Sequence, residues 1–108
     1  MTDTSLEHML VRIRNIATSA GDLRARILFN FGDQGKIFID STLEPPRVDP
    51  GTEEALVADL TVLCSLETFT DILNGAKDPA FAFLTGQVKI QGPIGLAMKL
   101  NAFLEDRT

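Results

Sequence analysis

From Leu23 to Phe31 every second residue is apolar, with Leu23, Ala25, Ile27, Phe29 and Phe31 alternating with Arg24, Arg26, Leu28 and Asn30. A period of two fits a strand with one buried face and does not fit a helical stripe. Gly32-Asp33-Gln34-Gly35 then supplies a short turn, and Lys36 to Ser41 is rich in β-branched and aromatic residues. The two runs predict an antiparallel hairpin whose apolar face has to be covered by something else in the chain.

The segments around the hairpin provide candidate covers. From Leu6 onward, Met9, Leu10, Ile13, Ile16 and Ala17 recur at intervals of three and four, which predicts a helix ending near Gly21. Glu44 to Glu54 holds three prolines and five charged side chains, and reads as an exposed loop. Ala58, Leu60, Val62 and Cys64 alternate with Asp59, Thr61, Leu63 and Ser65, giving a third strand. Ser65 suits the N-cap of a short helix through Phe69 and Leu73 to Gly75. Asp78-Pro79 suits the start of a second one that ends near Gly86. Gln87 to Gln91 reads as a last strand, and Gly92-Pro93 leads into a final helix reaching about Glu105. The expected fold is α+β in one domain over residues 1–108: a helix, three strands, two short helices, a strand and a C-terminal helix, with a small, mostly antiparallel sheet under the helices.

The final helix is apolar on most of its circumference. Ile94, Leu96, Ala97, Met98, Leu100, Ala102, Phe103 and Leu104 leave only Lys99, Asn101 and Glu105 to face water. Such a helix needs a second apolar neighbour besides the sheet, whether a ligand, another subunit or more protein, unless it is simply well buried.

Chemistry is scarce elsewhere. The chain has one histidine and one cysteine among 108 residues. His8 is expected in solvent. Cys64 falls on the apolar side of a strand, where its thiolate is disfavoured. Glu53-Glu54 is a solvated pair, so no metal is expected, and the scattered glycines form neither a P-loop nor a dinucleotide fingerprint. No cofactor and no catalytic residue are expected. A net charge of -5 disfavours nucleic acid as a partner. No apolar run reaches the roughly 18 residues of a membrane span, and a lone cysteine fits a reducing compartment, so a cytoplasmic location is expected. Arg12, Arg14, Arg24 and Arg26 flank the turn between the first helix and the first strand. They are either solvated or a receptor for one carboxylate or phosphate head group.

Taken in order, several stretches resemble the sterol carrier protein type two family. Phe29-Asn30-Phe31 with Gly35-Lys36-Ile37-Phe38-Ile39-Asp40 is similar to that family's first hairpin, and Ala58-Asp59-Leu60-Thr61-Val62 to its third strand. Phe69, Leu73, Gly75, Asp78-Pro79, Ala82-Phe83, Gly86, Val88-Lys89-Ile90, Gly92 and Met98-Lys99-Leu100 carry the likeness to the end of the chain. The chain differs in Pro93 after Gly92, in having no tryptophan, and in ending Asp106-Arg107-Thr108, which is no peroxisomal address. The resemblance implies a non-catalytic carrier of an apolar lipid (a fatty acid, acyl chain or sterol-like ligand) in a hydrophobic tunnel.

On that reading the tunnel is expected to be lined by Ile13, Ile16, Phe69, Leu73, Phe81, Leu84, Leu96, Leu100, Phe103 and Leu104, with Arg12 or Arg24 near a head group. Transient membrane contact and a monomer or weak homodimer fit the same picture. Two other readings stay open: an interaction or dimerisation module built on the last helix, and an accessory role in lipid or quinone biosynthesis.

Overall fold

The computed structural model of the chain describes residues 4–17, 23–43, 46–50 and 58–105, with side chains described for 6–16 and not for 103–105. Helix α1 spans Thr4–Ala17, and the hairpin follows as β1 (Arg26–Asn30) and β2 (Lys36–Asp40) joined by a single 3-10 turn, Gly32–Gln34. Next come β3 (Arg47–Pro50), β4 (Leu60–Leu63), α2 (Leu66–Leu73), α3 (Pro79–Leu84), β5 (Lys89–Gln91) and α4 (Ile94–Glu105). The five strands form one sheet in the order β3-β2-β1-β4-β5, antiparallel except where β4 runs parallel to β1.

Strand registry turns the alternation into two apolar rows on one sheet face. Val48, Ile39, Ile27 and Leu60 are paired across β3, β2, β1 and β4, and Ile37, Phe29, Val62 and Ile90 across β2, β1, β4 and β5. All of these except Ile90 are buried. Met9 and Ile13 from α1, four residues of α2, Ala82 of α3 and Leu100 of α4 complete the same core, so the helices cover that face. Phe69 of α2 meets Phe29 and Phe31 with ring centroids 5.0 and 5.7 Å apart, a spacing suited to tilted aromatic pairs.

Local chemistry sets where elements begin and end. The Ser65 hydroxyl accepts from the Thr68 N–H at 3.0 Å and caps α2, and the Asp78 carboxylate accepts from the Phe81 N–H at 3.1 Å and caps α3 ahead of Pro79, as the sequence predicts. Gly35 closes the hairpin turn at φ 116°, and a Cβ there would meet Leu6 Cδ2 of α1 at 2.6 Å. Gly92 is similarly constrained, since its φ is 141° and a Cβ would meet the Asp59 carbonyl oxygen at 2.7 Å. At the open end of the hairpin the buried Ser41 hydroxyl donates to the Ala25 carbonyl and accepts from the Ala25 N–H, both at 2.8 Å.

Two expectations are corrected here. The regular first strand begins at Arg26 rather than Leu23, because Arg24 takes a left-handed φ of 47° that breaks the ladder, although Leu23 and Ala25 are still buried. The proline-rich segment is not all exposed loop. Its residues Arg47–Pro50 form the edge strand β3, with Val48 turned into the core. Pro50 is tolerated because β3 pairs with β2 on one side and lies at the sheet edge on the other.

Candidate functional site

The row Ile37–Phe29–Val62–Ile90 leads from the closed core under α2 to a cavity of about 230 Å³. Phe29, Val62, Val88 and Ile90 form its floor, and Phe69 and Ile72 of α2 one wall. Pro79, Ala80 and Phe83 of α3 and one stripe of α4 form the rest. That stripe is Ile94, Ala97, Met98 and Asn101, positions i, i+3, i+4 and i+7, joined by Leu100 at the boundary with the core. The last helix therefore serves two neighbours: Leu96, Ala97 and Leu100 pack on the core, Ile94, Met98 and Asn101 face the cavity, and Ala97 and Leu100 reach both.

The cavity is partly open, and its rim carries apolar side chains in solvent. Ile94 is 59% exposed, Met98 66% and Phe83 44%. Phe81 at 59% and Leu84 at 79% extend the apolar surface along the outside of α3. None of the fourteen lining residues is charged, and Asn101 is the single one with a polar side chain. Its Oδ1 is buried, and among the described residues it is the one buried side-chain polar atom without a hydrogen-bond partner. Asn101 is therefore half-buried rather than fully solvent-facing as expected, because seven residues after Ile94 it returns to the cavity side of the helix.

The residues picked from the sequence fall in four places. Phe69 and Leu100 line the cavity, whereas Ile13 and Leu73 are buried in the closed core, with Ile16 and Leu96 packed against it. Phe81 and Leu84 point outward, and the side chains of Phe103 and Leu104 lie outside the described residues. Neither Arg12 nor Arg24 is part of the cavity lining. Arg14 donates to the Val48 carbonyl oxygen at 3.3 Å, and Arg26 pairs with Asp40 at 3.7 Å.

Reactive groups stand apart from the site. His8 is exposed on α1. Cys64 packs against the core, and burial pushes its thiol up from 9.0 to about 12, which leaves no useful thiolate at neutral pH. Among the described residues no cluster of three or more His, Cys, Asp or Glu is placed to hold a metal ion, and no helix is long and apolar enough to cross a membrane. What the arrangement offers is apolar surface, one amide and an entrance, which suits binding of hydrocarbon.

The sequence profile of the SCP-2 sterol transfer family matches residues 6–105. The chain belongs to that family. Sterol Carrier Protein 2 Like 2 from Aedes aegypti superposes with a TM-score of 0.74 at 20% identity, over 94% of this chain and 98% of that one. A palmitated SCP2L2 from the same organism superposes with a TM-score of 0.64 at 19% identity, over 97% and 95%. These likenesses show a shared fold. Peroxisomal multifunctional enzyme type 2 of Mus musculus is 41% identical over 49 residues, which is 45% of this chain and 7% of that enzyme. This SCP-2 domain thus corresponds to a small fraction of that relative's length, and its fold is a lipid-binding one.

The lining residues that the sequence did not single out are chiefly Val62, Ile72, Ile90, Ala97 and Met98. Val62 and Ile90 read from the sequence only as strand positions, and Ala97 and Met98 as part of the all-round apolar final helix. A signal was available for the last two, since a helix apolar on two sides requires two contacts, and i, i+3, i+4, i+7 spacing from Ile94 picks out its second side.

Proposed function

We propose that this domain binds the aliphatic part of a lipid in the cavity between β5, α3 and α4, without covalent chemistry, and carries it between surfaces in the cytoplasm. The observation that supports the reading is a cavity with an uncharged, almost wholly apolar lining and an exposed apolar rim. Its volume is below the about 300–1,000 Å³ of typical small-molecule pockets, which favours a slender acyl chain over a rigid polycyclic sterol. With no cation in the lining, a carboxylate stays at the open side in water while its tail enters. The palmitated relative is consistent with such a cargo. A lack of directional bonds also suits a carrier, which has to let go.

The test is native mass spectrometry of the purified domain, with extracted lipids identified in parallel and saturated fatty acids titrated as a chain-length series. Each added methylene is worth ~0.8 kcal/mol, so affinity is expected to rise about fourfold per carbon and then level off when the chain outgrows the cavity. Ala97→Phe, which fills the space from α4, is expected to abolish uptake while the domain still melts cooperatively. A protein that neither arrives with lipid nor takes it up overturns the proposal.

The exposed apolar residues of α3 and α4 favour a second reading, in which that surface docks a protein partner or a second copy. Sedimentation separates the two. A dimer broken by Leu84→Ser, in a domain that ignores lipid, supports docking, whereas a monomer that binds fatty acid supports carriage.

A further inference from the structure

Resting on the lipid-binding reading, the buried end of the cavity bears on how long a chain it takes. The lining is graded in depth: Ile94 and Met98 are exposed at the mouth, whereas Phe29 and Phe69 are buried in the core. Those two rings meet with centroids 5.0 Å apart. Phe31, which is not part of the lining, contacts both, at 6.3 Å from Phe29 and 5.7 Å from Phe69. The three rings thus stand as a partition between the cavity and the closed core. A ring packed against rings in a dense interior has no room to turn aside for an incoming chain. Phe29 belongs to the central strand β1, so of the two lining rings Phe69, carried by α2, is the one that can be shortened without touching the sheet.

We propose that Phe69 is a specificity-determining residue that ends the cavity and so fixes the length of aliphatic chain it admits, with the methyl end of the chain stopping against the ring while the polar end stays at the mouth. A hydrocarbon gains about fourfold in affinity for each methylene that leaves water, and gains nothing for a carbon with no space to enter. The partition therefore sets the chain length at which the gain stops. Replacing the ring by a methyl removes six carbons, space for about three methylenes at the density of a protein interior, and this space adjoins the cavity. Leu73, one turn further along α2, is buried to the same degree but is not part of the lining, so shortening it opens a void in the closed core.

The experiment titrates saturated fatty acids of increasing length, below their micelle-forming concentrations, into the wild-type domain, Phe69→Ala, Phe69→Leu and Leu73→Ala, and reads the chain length at which affinity stops rising. Phe69→Ala is expected to move that limit up by about two to three carbons and Phe69→Leu by about one, while acids shorter than the wild-type limit bind no more tightly than before. Leu73→Ala is expected to melt lower than wild type and to keep the wild-type limit. Phe69→Leu retains an apolar side chain of core size and carries the test if the alanine variant does not fold. A limit that the Phe69 variants leave unchanged, or that Leu73→Ala moves as far, overturns this inference while the lipid-binding reading stands. If wild type takes up no fatty acid of any length, the two fall together.

Discussion

The β3 side of the sheet and the β5 side are built from the same kinds of residue and packed differently. Under α1 and α2 the row Val48–Ile39–Ile27–Leu60 is fully covered, and Ile27, Ile37 and Leu60 retain no exposed surface. At the other side, α3 and α4 stand over Val62 and Ile90 with a gap of about 230 Å³ between them, and large apolar side chains face solvent. Apolar content on one side is converted into stability, and on the other it is kept available. Close packing makes each buried methylene count where neighbours surround it, and a gap removes that contribution from the residues lining it.

The sharpest way to break this comparison is the same substitution on both sides. Ile37→Ala is expected to cost about 2–5 kcal/mol in urea denaturation, since it opens a void under β2 that the sheet cannot collapse around. Ile94→Ala, at an exposed first turn of α4, is expected to fall within about 0.5 kcal/mol of wild type. Equal costs at the two sites mean that the β5 side is packed as tightly as the β3 side and that the gap is closed in solution.

The seam between the two sides gives a pH test. Cys64 follows β4, donates its N–H to the Asn30 carbonyl at 3.3 Å, and packs on the core with its thiol pushed up to about 12. The folded state therefore holds this proton more tightly than the unfolded chain does. The associated stability is fully present below pH 9, where both states keep the proton. It declines as pH rises from 9 toward 12, because only the unfolded thiol ionises in that window. The melting temperature is expected to fall more between pH 8 and pH 10.5 for wild type than for Cys64→Ala. Parallel curves show that Cys64 is solvated and that the seam is loose.

How far the sequence could be read divides along the same line. Alternation found the closed side because a strand's period is fixed by geometry, and each of Leu23, Ala25, Ile27, Phe29 and Phe31 is buried as its phase requires. Capping chemistry placed α2 and α3 to within a residue or two, since Ser65 and Asp78-Pro79 act locally. Strand β3 was hidden because an edge strand of four residues needs only one inward side chain, Val48, and its prolines read as loop. The cavity was harder still. Leu73 and Phe69 lie on the same helix and are both buried in the core, yet only Phe69 also reaches the cavity, a difference set by what surrounds each side chain rather than by residue type. A polar residue on an apolar helix reads as the one facing water, and Asn101 is half-buried instead.

The helix caps sharpen the comparison at smaller amplitude. Ser65→Ala and Asp78→Ala each remove an N-cap acceptor and are expected to cost about 1 kcal/mol of stability. They should differ in binding. Helix α2 is pinned by four buried residues, so fatty-acid affinity survives the loss of its cap, whereas α3 buries only Ala82 and supplies Pro79, Ala80 and Phe83 to the cavity wall. Isothermal titration is expected to show weaker palmitate binding in Asp78→Ala than in Ser65→Ala at matched stability. Identical affinities mean that α3 is held by the sheet rather than by its own cap.

The smallest expected effect on stability lies at the outermost residues, and it separates storage from delivery. Phe81 and Leu84 stand in water on α3 and are absent from the cavity lining, so Phe81→Ser and Leu84→Ser are each expected to change unfolding free energy by less than about 0.5 kcal/mol. Equilibrium affinity for fatty acid in solution should be unchanged as well. If the apolar rim is where the domain meets a bilayer, the same variants transfer a fluorescent fatty acid to phospholipid vesicles more slowly, in proportion to the apolar area removed. A stopped-flow transfer rate that depends on vesicle concentration in wild type and loses that dependence in the double variant establishes contact-mediated delivery. Rates that are alike and insensitive to vesicle concentration show that cargo leaves through water, and that the exposed face of α3 serves some other contact.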